Sequence, residues 1–260
     1  MWQQRVRRWT YQRFSPDGRL GLRLTLACAA VLLVAVPFVV LLALVNAHWA
    51  PLRHLDDSAT LHTHGFVLRH RALVGPLRAT AYVFHPWVFR IILLALAAWL
   101  LYRGARRLAA WATTNVLVAG VVSGTLKAAV GRTRPVLPSP IAHAGGGSFP
   151  SGHALMTVVG TATIVLVVLP LLRRAWRAVA WIAAAVLSVA SGLFRVLLGV
   201  HYLSDVIGGW ILGVAIVLAT TAAFETWRRG EGRRPADPIR EGAEPEAEPR
   251  ITGDDHATPA

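Results

Sequence analysis

Eight residues in three short stretches have the types and spacing that chemistry needs. Lys127 and Arg134 stand seven apart, with Pro135 next. Pro150-Ser151-Gly152-His153 opens an apolar run, and Arg195, His201 and Asp205 lie together in "RVLLGVHYLSD". Lys127 is the one lysine among 27 basic residues, a compact ammonium where arginine is otherwise the rule. Pro150-Ser151-Gly152 breaks the chain and starts a helix whose first N–H groups are free, and with cations nearby such an end holds a phosphate-sized anion. Gly152 lets backbone approach the ligand closely. Ser151 is placed to cap, and His153 faces whatever the helix end holds. His201 and Asp205 are four apart and share a helix face, so the carboxylate can set the imidazole tautomer and leave the other nitrogen free to attack. Asp205 is also the only acidic residue between Asp57 and Glu225.

Three cations, a helix N-terminus, a histidine oriented by a carboxylate and a second histidine make up a phosphoryl-transfer site. Cations and amides bind the anionic oxygens and stabilise charge in the transition state. One histidine attacks phosphorus and the other protonates the leaving oxygen. The scarcity of carboxylates argues against a magnesium site, so no metal and no cofactor are expected.

The elements that must position these residues are apolar helices. The chain is 55% hydrophobic and 15% charged, with a net charge of +14 and a mean hydropathy of +0.49, the balance of a multi-span membrane protein. Its arginines cluster between apolar runs rather than along one polar face, which argues against a nucleic-acid partner. Cys28, the single cysteine, excludes a disulfide framework and a thiolate metal site. With roughly 20 residues needed per span, the expected spans are 24–46, 87–103, 108–130, 152–172, 177–198 and 206–227, the first retained as an anchor rather than cleaved as a signal.

Arginine clusters before the first span (Arg5 to Arg23), at Arg103–Arg107, at Arg173–Arg177 and at Arg228–Arg234 all fall on one side of an up-down chain. The positive-inside rule makes that side, and both termini, cytoplasmic and puts the eight residues on the outer face. Segment 47–86 reads either as a helix in the interface plane or as a partly ordered loop. Residues 1–23 read as a basic cytoplasmic segment, 24–227 as the membrane domain, and 228–260, rich in Pro, Glu, Gly and Arg, as a disordered cytoplasmic tail.

The three stretches together resemble the type 2 phosphatidic acid phosphatase (PAP2) family, membrane relatives of the vanadium haloperoxidases. Its pattern, K-x6-R-P, P-S-G-H and S-R-x5-H-x3-D, is matched by Lys127–Arg134–Pro135, Pro150–His153 and Arg195–His201–Asp205 over about residues 20–227. The resemblance implies an all-α, six-transmembrane-helix bundle with extracytoplasmic active-site loops. It implies His201 as the nucleophile forming a phosphohistidine, Asp205 as its orienting partner, and His153 as the acid that protonates the leaving group and then activates water. Lys127, Arg134 and Arg195 become the phosphate ligands, helped by Ser151 and the Gly152 N–H. Phe194 stands where the family has serine, which removes a secondary hydrogen bond near Arg195.

The leading expectation is a metal-independent lipid phosphate phosphatase of the bacterial cytoplasmic membrane. Its partners would be the bilayer and a lipid phosphate: undecaprenyl or another polyprenyl diphosphate, phosphatidic acid, or phosphatidylglycerol phosphate. A second reading is a phosphotransferase in which an acceptor hydroxyl intercepts the same phosphohistidine. A third, from another class, is an oxidase with a metal on His153, His201 and Asp205, or one loaded with vanadate. Oligomeric state is left open.

Overall fold

The computed structural model describes residues 19–253, with side chains from residue 33 onward. The first four arginines of the N-terminal cluster, the side chain of Cys28 and the last seven residues lie outside the described part. Eight helices carry the architecture: α1 (Arg19–Asn46), α2 (Ala50–Arg69), α3 (Val74–Val83), α4 (Pro86–Tyr102), α5 (Arg106–Val130), α6 (Gly152–Val168), α7 (Arg174–Leu197) and α8 (Leu203–Gly230). No strand occurs among the described residues.

Five segments are long and apolar enough to cross a membrane: 71–102, 106–130, 152–171, 174–197 and 203–230. The pair formed by Leu33–Asn46 of α1 and α2, bent by 90°, makes up to a sixth. The expected all-α bundle is therefore present, with helix ends shifted by a few residues. Local signals account for the ends. Pro86 sits at the first position of α4, where its missing N–H costs nothing. Gly131, with φ of 57°, ends α5 in the left-handed region.

α6 lies at the centre, apolar on every side and enclosed by α4, α5, α7 and α8. α8 approaches it closely at two glycines one turn apart. A Cβ on Gly209 would lie 2.7 Å from the Ser151 carbonyl oxygen, and one on Gly213 would lie 2.9 Å from Val158 Cβ. Only hydrogen fits there, the small-residue packing by which helices associate without a hydrophobic drive. Hydroxyl pairs tie the same layer, Thr157 to Ser191 at 2.9 Å and Thr161 to Ser188 at 3.3 Å. Outward, Val39, Ile91, Val121, Ile182 and Val186 are exposed, an apolar girdle suited to lipid.

One end of the bundle gathers the C-termini of α1, α5 and α7 and the N-termini of α4, α6 and α8. Segment 47–86 covers this end as two helices. α2 buries Asp56, Thr60, His64 and Val67, a largely polar face, against the loops beneath it. Its other face exposes Leu55, Leu61 and Phe66. α3 is tied down by Arg78, whose Nε and Nη2 donate to the Ile141 carbonyl at 2.9 and 2.7 Å.

At the opposite end, the described part of the segment expected as a disordered tail is folded. Residues 231–253 fold back on the bundle in short helices, α9 (Pro238–Glu241) and α10 (Glu248–Thr252), burying Ala243, Ala247 and Ile251. Charge pairing explains this. Arg228, fully buried, donates to Glu225 at 2.7 Å and to Glu246 at 2.6 Å, while Arg107 pairs with Glu231. Glu231, Glu244 and Glu246 are thus counter-ions to Arg107, Arg233 and Arg228.

Candidate active site

The three sequence stretches arrive at one end of the bundle on three different supports. Lys127 is in the last turn of α5, and Arg134 is on the loop that follows. Gly152 and His153 open α6. Arg195 is in the last turn of α7, and His201 is on the short link to α8, whose first turn holds Asp205. Lys127, Arg134, Gly152, His153, Arg195 and His201 line a single cavity of about 610 Å³. The other two predicted residues stand behind its wall. Asp205 is fully buried under His201, and Ser151 is fully buried at the start of α6.

His201 is held from both ring nitrogens. Nδ1 lies 3.4 Å from Asp205 Oδ2, and Nε2 lies 3.1 Å from Arg134 Nη1. A guanidinium only donates, so Nε2 must accept, which puts the ring proton on Nδ1 facing the carboxylate. The lone pair of Nε2 therefore points at Arg134, beside the cavity that both residues line. Burial pushes the ring's pKa down to about 4, with Asp205 pulling it back up and Arg134 and Arg195 adding to the fall.

Arg134 has every N–H occupied. Nε donates to the Gly146 carbonyl at 3.1 Å, Nη2 to Gly145 and Gly147 at 3.0 and 3.3 Å, and Nη1 to Val200 at 2.7 Å as well as to His201. The glycine tract is thus a carbonyl cradle for a guanidinium. Its tightest point is Gly147, where a Cβ would come within 2.9 Å of the Lys127 carbonyl oxygen. Burial lowers the Arg134 pKa, and Asp205 opposes this.

The other two cations differ. Lys127 and Arg195 make no hydrogen bond or ion pair among the described residues, and Arg195 Nε is buried without a partner. Lys127 Nζ lies beside Gly152, 3.9 Å from where a Cβ would stand. With the leading N–H groups of α6, these donors converge on one side of the cavity, an arrangement that takes an anion. His153 Nε2 lies 3.3 Å from the Ala81 carbonyl, which fixes it as the protonated nitrogen. Its ring meets His85 edge-on at 5.3 Å between centroids. Ser151 occupies the N-cap position of α6, but its hydroxyl makes no cap hydrogen bond and has no partner at all, so the capping expectation does not hold. Its backbone N–H instead donates to the Asp205 carbonyl at 2.9 Å, joining the starts of α6 and α8. Phe194 packs against Phe84 at 6.4 Å between ring centroids.

Behind His201 runs a polar network that sequence reasoning missed. Arg132 donates to Asp205 Oδ1 at 2.6 Å and to Asp56 Oδ2 at 2.7 Å. Asp56 also accepts from the Ser204 N–H at 2.9 Å and the Ser204 hydroxyl at 2.6 Å. Burial works against the Arg132 charge, yet Asp205 and Asp56 raise its pKa overall. Asp205 Oδ2 accepts from the Tyr202 N–H at 2.9 Å, so every oxygen of both carboxylates has a donor. The signal was available: Asp56 and Asp57 are the last acids before Asp205 in a chain poor in them, and Arg132 stands two residues before Arg134. Among the described residues no group of three or more His, Cys, Asp or Glu is arranged to hold a metal ion.

Residues 108–229 match the model of the PAP2 superfamily. The chain is 33% identical over 112 residues to phosphatidylglycerophosphatase B of Bacillus subtilis, covering 42% of this chain and 54% of that protein. It is 36% identical over 124 residues to a lipid A 1-phosphatase of Rhizobium etli, covering 44% and 50%. Over 66 residues it is 39% identical to an undecaprenyl-diphosphatase of Sulfolobus acidocaldarius, covering 25% and 28%. The chain spans about half the length, or less, of these curated relatives. Its fold is that of the transmembrane PAP2 type phosphatidylglycerolphosphate phosphatase of Bacillus subtilis, with a TM-score of 0.67 at 23% identity, covering 77% of this chain and 98% of that one.

Proposed function

Because residues 108–229 are a PAP2 superfamily segment set in a transmembrane PAP2 fold, we propose that this chain is a lipid phosphate phosphatase working through a phosphohistidine. The observation that carries this reading is the placement of His201 on the cavity wall: Nε2 against Arg134, Nδ1 on Asp205, and the cations Lys127, Arg134 and Arg195 around the same space. The names of the relatives, all phosphatases of lipid phosphates, support the substrate class.

The steps follow from the donors. Lys127, Arg195 and the Gly152 N–H hold the non-bridging oxygens of the phosphoryl group. His201 Nε2 attacks phosphorus, forming an N–P bond as the bond to the leaving oxygen breaks, and protonated His153 gives that oxygen its proton. The N–H of Arg134 that faced Nε2 is released as the lone pair is used and turns to a phosphoryl oxygen, while Asp205 stabilises the imidazolium. Water, losing a proton to His153, then attacks phosphorus and returns Nε2 to its lone-pair form. Arginines at 103–107, 173–177 and 228–234 flank the end of the bundle opposite the cavity, which supports an active site on the outer face with the C-terminal segment cytoplasmic.

The test is phosphate release from phosphatidic acid, phosphatidylglycerol phosphate and a polyprenyl diphosphate by purified protein and its His201→Ala variant. The wild type should hydrolyse at least one and yield acid-labile phosphate on histidine after a rapid quench, and the variant should do neither. Near-normal release by His201→Ala would overturn the mechanism.

A further inference from the structure

Arg90 has no part in the steps above. It lies one turn beyond Pro86 on α4, within the membrane-crossing segment 71–102. A charge within such a segment is costly and marks a functional position unless it is paired. Among the described residues Arg90 makes no hydrogen bond and no ion pair. Its one polar-type contact is with Trp87, the guanidinium carbon standing 4.6 Å from the ring centroid. Such stacking orients a guanidinium without neutralising it.

The side chain reaches across to α5, where Nη2 lies 3.7 Å from a Cβ built on Gly120. There it borders a second cavity of about 230 Å³ whose wall includes Trp87, Gly120, Gly124 and Met156. His85, Pro86, Lys127 and Gly152 line both this cavity and the one that holds His201, so the two meet at Lys127. Side chains at 120 and 124 would fill the crevice, and both positions are glycine. Gly120 and Lys127 are seven residues apart, two helical turns, or about 10 Å along the axis of α5. Two phosphorus atoms sharing one oxygen are held much closer together than those two backbone positions. A phosphomonoester and a phosphodiester joined through a short polyol come much nearer to that separation.

We propose that Arg90 receives a second phosphoryl group of the lipid, the phosphodiester of a glycerophospholipid whose terminal phosphomonoester lies at His201. The inference rests on the phosphatase reading and narrows its substrate class to lipids of the phosphatidylglycerol phosphate type. Trp87 stiffens the guanidinium, and the crevice between α4 and α5 holds the linking polyol and the start of the acyl region.

The experiment compares wild type with Arg90→Gln and Arg90→Lys on three substrates in mixed micelles: phosphatidic acid, phosphatidylglycerol phosphate and a polyprenyl diphosphate. The ratio of kcat/KM for phosphatidylglycerol phosphate to that for phosphatidic acid should fall about tenfold in Arg90→Gln, the worth of one charge-assisted hydrogen bond, mostly through KM. Arg90→Lys should keep most of it, and the diphosphate-to-phosphatidic-acid ratio should stay within twofold. An unchanged first ratio, or equal losses on all three lipids, would overturn the proposal and leave Arg90 as a snorkelling anchor. If wild type hydrolyses none of them, the phosphatase reading fails. Arg90 is then decided by binding of phosphatidylglycerol phosphate and phosphatidic acid to wild type and Arg90→Gln: a preference lost in the variant supports it, and no preference overturns it.

Discussion

Arg132 meets Asp205 at 2.6 Å on the side of the carboxylate turned away from His201, and Asp56 holds the other arm of the same guanidinium at 2.7 Å. Two buried anions thus share one cation, and Asp205 has one oxygen for Arg132 and one for the Tyr202 N–H and His201. The orientation of the imidazole is set three residues away from the ring, in a network that begins on α2.

Asp56→Asn should therefore lower kcat about tenfold with KM nearly constant. The neutral amide frees Arg132 to draw Asp205 away from Nδ1, which weakens the hold on the tautomer without touching the phosphate ligands. Asp205→Asn should cost far more, on the order of a thousandfold or greater, as loss of an orienting carboxylate does in hydrolytic triads. Steady-state kinetics of both variants check this. A rise in KM alone for Asp56→Asn would count against it.

The acid limb of kcat/KM that reports His201 should lie near pH 4, because burial pushes its pKa down to about 4 and the attacking ring must be neutral. The same depression has a stability consequence of fixed sign. Between about 4 and the ordinary 6.5 the unfolded chain binds a proton that the folded ring refuses, so stability is full above 6.5 and declines as the pH falls toward 4. Melting temperature measured from pH 7.5 to 4.5 should fall more steeply for wild type than for His201→Gln. Equal slopes would contradict the burial argument.

Gly209→Ala should destabilise the protein by about 1–3 kcal/mol, the range for overpacking a filled interface. The new methyl would stand 2.7 Å from the Ser151 carbonyl oxygen, so relief requires α6 to move and carry Gly152 and His153 with it. Activity should drop along with the thermal midpoint. Gly124→Ala on α5, where a Cβ meets nothing within 4 Å, should leave the midpoint within a degree or two.

Truncation after Ala236 should lower the thermal midpoint by several degrees. It removes Glu246 from Arg228, which has no exposed surface, and uncovers the wall sealed by Ala243, Ala247 and Ile251. Breaking one side of a buried ion pair is costly because the remaining charge has no water to return to. The variant Glu246→Gln isolates the charge from the packing and should account for part of the shift in the same assay.

The spans were legible because roughly 20 apolar residues between arginine clusters have few other uses, and the cavity residues because their types recur in three short stretches, although His201 meets Asp205 from the link before α8 rather than on one helix face as expected. Asp56, Arg132 and Ser204 were not legible, since their pairing joins segments about 75 to 150 residues apart and no local pattern encodes it. Ser151 misled in the opposite way. Its position is a cap position, yet its hydroxyl is buried without a partner, and the backbone does the joining. The tail misled through composition. Glu231, Glu244 and Glu246 pair with Arg107, Arg233 and Arg228, contacts that composition does not encode.

The contact between Asp56 and Ser204 has a consequence for biogenesis. Its partners are 148 residues apart, one on α2 and the other at the head of α8. A nascent chain with five segments inserted has the cations of Lys127 and Arg134 and the histidine of Pro-Ser-Gly-His in place, but nothing locked against α2. That contact can form only when the head of α8 reaches α2, so the network behind His201 is completed by the joining of these two distant segments.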